Sequence, residues 1–421
     1  MKRIRTIVLL SFSSILSVLG IAQNTKSEKV EYTYIQQPMN PLSASIKNYQ
    51  SVIKAIYETD NQKKQGEYES QMAAAEAEFQ KEQAAYPAKV KAAEDKYAKE
   101  MEEWEKKSLA EKVVEKQLLN ENNKPVKQIP SPPYKRSVQA PKLKTSYDYP
   151  VLASTNIKLD GYNNAPEGAV KIEVTLYGFE YTTPRQLSEQ KSVVSSANGQ
   201  TATSQVTYYH VEFTYRHTMS VKVTAPDGSE LFVLSPSELN NYKTYKSTES
   251  KTSISYSEEQ LVKTHEEKIL QENLKLINEL VNDRIGFRRV SRASELHYVK
   301  SKDETYADLM NAFNEGSTGL KMILNDQVGA TDKLQRSNQL WEAALSESDV
   351  ANKKARIDKD VTMIVCFNLL ESYFALAKVE DGEKVIQKMN TISLSASERK
   401  TKEAYELAFT DLKKRIEANK K

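Results

Sequence analysis

The chain has 421 residues, with 60 Lys and Arg against 57 Asp and Glu. The three-charge excess equals the contribution of Lys2, Arg3 and Arg5, so the rest of the chain is neutral, which excludes a wholesale polyanion binder. A mean hydropathy of −0.63 excludes a polytopic membrane protein, and a single Cys, Cys366, excludes an internal disulfide framework.

Residues 1–22 read as a secretory signal peptide. A basic start leads into Ile7-Val8-Leu9-Leu10 and Ile15 to Leu19, and Gly20 and Ala22 supply the small residues of a cleavage site before Gln23. An uncleaved anchor is the alternative. No Cys follows the site, so a lipoprotein is excluded. The expectation is export to a periplasmic or outer-membrane-associated location, with no transmembrane helix after cleavage. Residues 23–45 form an extended N-terminal segment, in which Val30 to Ile35 alternates as one strand does.

Residues 46–121 read as a helical arm, rich in Ala, Glu, Lys and Gln. Ile46, Tyr49, Ile53 and Ile56 recur at helical spacing. A second stripe runs through Tyr68, Met72, Ala75, Phe79, Tyr86, Val90, Ala93, Tyr97, Met101 and Trp104. So thin a stripe needs a partner to cover it, in a coiled coil or a homo-oligomer through 46–121, and Pro87 either kinks one long helix or starts the second arm of a hairpin. Residues 122–150 form a Pro/Lys-rich linker. Its six prolines, Pro125 to Pro150, forbid helix and favour polyproline-like chain. Lys124, Lys127, Lys135, Arg136, Lys142 and Lys144 meet no acid before Asp148, so the linker is either a solvated spacer or a contact for an acidic surface.

Residues 151–256 read as an antiparallel β-rich domain. Val170 to Leu176 alternates, the phase slips at Gly178, and Phe179 and Tyr181 continue it, as a β-bulge would. Tyr209 to Tyr215 and Met219 to Val223 read as two further strands, and Pro226-Asp227-Gly228-Ser229 as a turn. Ser188 to Ser204 suggests a long loop or hairpin tip, and Asn240 to Tyr256 an edge strand. The 23 Tyr include Tyr208, Tyr242 and Tyr245, which either pack at the sheet edge or stand exposed to stack on a sugar ring or a protein partner.

Residues 257–302 read as a helix and a connecting strand, Phe287 to Val299. Residues 303–421 carry helices near 304–315, 332–347, 357–378, 380–389 and 395–418. The fold class expected is α+β and multidomain: a long helical arm, a β-rich domain and a repeat-like helical end.

Enzyme motifs and metal spacings are missing from the sequence, so no catalytic residue, cofactor or metal is assigned. His210 and His217 are seven apart in a strand and project to opposite faces. The informative run is Asn368-Leu369-Leu370-Glu371-Ser372-Tyr373 to Ala377, then Val379 and Gly382. It resembles the tetratricopeptide-repeat pattern, with Tyr373, Ala377, Val379 and Gly382 matching in type and spacing. Trp341 to Leu345 looks like the second helix of a preceding repeat. That resemblance implies protein–protein binding through a helical seam. The Tyr- and Lys-rich composition also resembles exported cell-envelope proteins of Bacteroidota-type bacteria.

Three functions are thus open. The first is a non-enzymatic envelope scaffold or adaptor that binds protein partners and no nucleic acid. The second is a glycan or envelope-polymer binder using the Tyr-bearing domain. The third is an enzyme with an unfamiliar carboxylate site.

Overall fold

The computed structural model describes residues 25–112, 124–197, 200–300 and 304–420. The signal-peptide expectation for residues 1–22 lies outside them. Among the described residues no helix is long and apolar enough to cross a membrane. The fold is α+β, built as two lobes and an arm.

The sheet lobe holds seven strands. They are β2 (Asn48–Ala55), β3 (Asn163–Asn164), β4 (Ala169–Tyr181), β5 (Arg185–Ala197), β6 (Gln200–Thr224), β7 (Glu230–Leu234) and β8 (Lys243–Lys246). Their order is β3-β2-β4-β6-β5, with β7 and β8 also pairing to β6. The sheet is mixed rather than purely antiparallel, because β2 runs parallel to β4, Asn48 opposite Ala169 through Ala55 opposite Leu176. That strand corrects the expectation of helix from residue 46. Tyr49 and Ile53 are buried, at a spacing of four that serves one helix face or one strand face equally, and pairing to β4 decides between them. A second correction is that Tyr209 to Val223 is one continuous strand. The bulge falls where expected, with a register shift between Leu176 and Phe179 and Gly178 at φ +96°.

Two helices, α2 (Tyr149–Asn156) and α4 (Glu258–Ile285), cover one face of the sheet. Pro150 does not forbid α2, because it lies in the first turn behind the Asp148 cap. Leu270, Leu274, Ile277 and Val281 of α4 meet Val170, Ile172, Val174, Met219 and Val221 in one buried apolar core. A short α3 (Ser237–Asn240) adds Leu239.

The helical lobe is built on a two-stranded ribbon. In it β1 (Thr25–Gln36) pairs antiparallel with β9 (Arg288–Val299), Thr25 opposite Val299. Helices α5 (Ala307–Met322), α6 (Gln327–Ser346), α7 (Lys359–Ala375), α8 (Val379–Met389) and α9 (Ala396–Asn419) complete this lobe. Helix α5 runs seven residues past the expected end at 315, through Gly316 and Gly319. These glycines are close-approach residues: a Cβ on Gly316 would stand 2.6 Å from the Trp341 ring, and one on Gly319 2.8 Å from Leu334 Cγ. The lobes are tied by Arg415 of α9, which donates to the carbonyls of Gln37 and Asp283 and to the Asp283 carboxylate at 2.7 Å.

Candidate interaction surfaces

The arm is one helix, α1 (Glu58–Lys106), with Pro87 inside it, so the hairpin of two helices is not formed. At ~1.5 Å per residue it is about 73 Å long. Only Asn61 and Ala75 are fully buried on it, so most of it stands clear of the body. The stripe from Tyr68 to Trp104 is nevertheless half-covered. What covers it is the linker, which returns along the helix as an extended strap.

The contacts run in strict reverse order. The ammonium of Lys124 lies 5.6 Å from the Trp104 ring centre. Lys127 pairs with Glu94 at 2.9 Å, and the Tyr86 hydroxyl donates to the Pro130 carbonyl at 3.1 Å. Lys135 pairs with Glu76 at 2.5 Å. At the base Asn61 donates to the Lys144 carbonyl and accepts from its N–H, and the Tyr57 hydroxyl donates to the Thr145 carbonyl. The two rods match in length. Helix from Asn61 to Trp104 rises about 65 Å at ~1.5 Å per residue, and strap from Lys124 to Lys144 spans about 62 Å at ~3.1 Å per residue.

The strap meets the helix with a period of three. Lys127, Pro130 and Pro133 form one inward set, and Lys135, Val138, Pro141 and Lys144 a second, with one slip between them. Three residues per turn is the polyproline II repeat. Charge reinforces the fit: α1 carries 13 acidic and 8 basic side chains, while 124–144 carries six basic and no acidic ones. The acidic surface anticipated for the linker is thus the chain's own helix, and the stripe expected to seat a second helix is occupied. Lys135 is engaged within the chain, whereas Arg136 is exposed with no ion pair among the described residues.

Strap and body meet at a buried carboxylate. Glu266 of α4 accepts from the Thr145 hydroxyl at 2.8 Å and the Tyr147 hydroxyl at 3.2 Å. Burial lifts its pKa above the usual carboxylate range, more than those two donors lower it. The Tyr149 hydroxyl donates to Glu58 at the first turn of α1.

The three tyrosines singled out on the β-domain do not converge. Tyr245 is not exposed: it packs 4.9 Å from Phe213 and 4.7 Å from His265, on the α4 side of the sheet. Tyr208 is half-buried, with the Lys191 ammonium 5.8 Å from its ring centre. Tyr242 alone is well exposed, at 58%. Its hydroxyl donates to Glu180 at 3.0 Å, and Arg216, paired to Glu180 through two bonds, lies over its ring at 4.6 Å. Phe179, Tyr181, Thr182 and Thr214 complete a depression of about 550 Å³ beside it. Its lining includes one carboxylate, Glu180, and no histidine.

His210 and His217 are both buried, and alternation along β6 puts them on opposite faces. Burial pushes His217 and His297 down to about 4. Among the described residues no group of three or more His, Cys, Asp or Glu gathers as metal ligands. Cys366 is buried and unpaired, and burial lifts its thiol to about 12.

In the helical lobe the residues of the repeat-like run occupy the α7–α8 turn and its seam. Leu369 and Asn368 are buried, and Asn368 exchanges two hydrogen bonds with the backbone of His297 in β9. Tyr373 is buried and its hydroxyl donates to Glu342 of α6. Ala377 takes φ +55° in the turn, and Val379 opens α8. Gly382 packs on Phe409, whose ring would clash with a Cβ there. Trp341 is fully buried, and Leu345 packs beside it.

One buried polar centre was not anticipated. Glu371 lies in the all-buried stretch of α7 and accepts from Arg292 at 2.7 and 2.9 Å, from Tyr32 at 2.5 Å and from Tyr405 at 2.7 Å. Burial alone would raise its pKa, but Arg292 and the two hydroxyls hold it below the usual range. The signal was a single carboxylate in the apolar run Val361 to Phe374, where an unpaired charge could not be tolerated.

Comparison with protein-family models, with curated proteins and with solved structures finds no match.

Proposed function

We propose that this chain is a non-enzymatic, exported scaffold or adaptor of the cell envelope, working through protein–protein contacts. The observation that carries this reading is the arm. A helix of about 73 Å, braced along its length by its own return strap, makes a stiff spacer. It offers little to catalysis, since it forms no cleft. The helical lobe supplies a second contact surface, which its resemblance to tetratricopeptide repeats supports. Export rests on the N-terminal sequence pattern alone.

The test is to replace residues 62–143 with a short Gly-Ser linker. Asn61 and Lys144 are hydrogen-bonded, so the cut ends already meet. The body is expected to keep its circular dichroism and the buried fluorescence of Trp341. In-cell cross-linking with mass spectrometry should lose the partners captured by the intact chain. An unchanged partner set, or loss of the folded body, would sink this role for the arm.

A further inference from the structure

The arm has two unlike sides, and the outer side of the strap is unfilled. Val126, Ile129 and Tyr134 point away from α1, with Tyr134 81% exposed and Val126 75%. Arg136 and Lys142 are exposed on the same strap, with no ion pair among the described residues. One flank of α1 is the opposite. Glu67, Glu78, Glu82 and Glu103 are exposed on it beside Lys89 and Lys96, with no strap lysine against the four acids. We infer that the strap's outer side docks on the acidic helix of a second copy of this chain, making a parallel arm-to-arm dimer.

This deepens the scaffold reading by naming the arm's partner. Its physical basis is that each arm is a negative rod beside a positive one. Two arms laid side by side with the two-fold axis along them place four rods at the corners of a square, with signs alternating. Each strap then touches its own helix and its neighbour's, while like rods lie on the diagonals. The arrangement is self-complementary and closed, as a two-fold interface must be. The contact length is about 60 Å, and a rod about 10 Å wide then covers about 600 Å² per copy. The total of about 1,200 Å² reaches the lower range of stable protein interfaces. Val126, Ile129 and Tyr134 supply the apolar contacts that bare charges would lack.

The experiment is sedimentation of the full chain at low and at high ionic strength. A dimer is expected at low ionic strength, with weaker association as salt screens the alternating charges. The I129S/Y134S and R136E/K142E variants touch only exposed side chains and should keep the native circular dichroism. Each is expected to raise the dimer dissociation constant by about tenfold or more. Because Cys366 is buried, a spin label on Ser131→Cys reports the partner arm alone, and a defined inter-label distance is expected. A chain that stays monomeric in both salts overturns the proposal, and so does a dimer indifferent to both variants. A monomer whose partner capture still depends on residues 62–143 sinks the dimer while the scaffold reading stands.

Discussion

Glu371 shows how one residue can hold four elements. Its two oxygens take bonds from β9 through Arg292, from β1 through Tyr32 and from α9 through Tyr405, while its own backbone lies in α7. Phe374 lies 4.4 Å from the Arg292 guanidinium and adds a cation–π contact. Removing the charge on one side leaves Arg292, which is about three-quarters covered, without its counter-charge. Glu371→Gln is therefore expected to lower stability by about 3–5 kcal/mol. Denaturant titration followed at Trp341, with Trp104→Phe to silence the arm, measures this directly. A loss below about 1 kcal/mol would mean that the network is a by-product of packing rather than its anchor. Gly382 teaches the complementary lesson, since its value lies in the absent side chain that lets Phe409 approach.

The arm belongs to the scale of the element. An amphipathic stripe only three or four residues deep cannot hold a helix in water alone. Here a polyproline strap covers it, and the strap needs no partner of its own because its backbone is solvated. Electrostatics sets the register, through Lys127 on Glu94 and Lys135 on Glu76. These pairs are exposed, and each contributes little on its own. The strap should thus be held collectively and yield to screening or charge reversal. K127E/K135E is expected to raise hydrogen exchange in α1 between residues 76 and 94 by about tenfold, with the body unchanged. High salt should do the same more weakly. Unaltered protection would show that the proline and tyrosine contacts suffice.

Acid stability belongs to the whole molecule, because the responsible groups sit in both lobes. His217 lies in the sheet lobe and His297 in the ribbon of the helical lobe, and burial holds both down to about 4. In the unfolded chain each titrates near 6.5. The unfolded state therefore takes up protons first as pH falls. Stability is complete above about 6.5 and is lost progressively between about 6.5 and about 4, by up to roughly 3 kcal/mol for each histidine. Glu266, whose pKa is raised, works in the opposite sense and offsets part of that loss. Denaturant midpoints across this pH range check the slope, and His217→Phe should flatten it by about half. A midpoint constant across the range would contradict burial of the neutral rings.

Much of this architecture is legible along the chain. Alternation marks β4 and the core half of β6, a glycine at a phase slip marks the bulge, and the spacing from Tyr68 to Trp104 marks the covered face of α1. These are local periodicities, and a chain writes them wherever one face is buried. Composition likewise marks the strap as extended, since closely spaced prolines cannot share a helix interior. What the sequence left undecided is which surface lies against which. Residues 48–55 satisfy a helical spacing and a strand spacing equally, and only the edge of β4 makes them a strand. The basic run 124–144 calls for acid, and only the return of the chain shows that the acid is α1. Glu371 and Arg292 are 79 residues apart, and Glu371 and Tyr32 339. Local pattern reports burial, a property of single residues, whereas pairing depends on contacts between distant ones. The period of each element was therefore determined by the sequence, and the partner of each element by the tertiary structure.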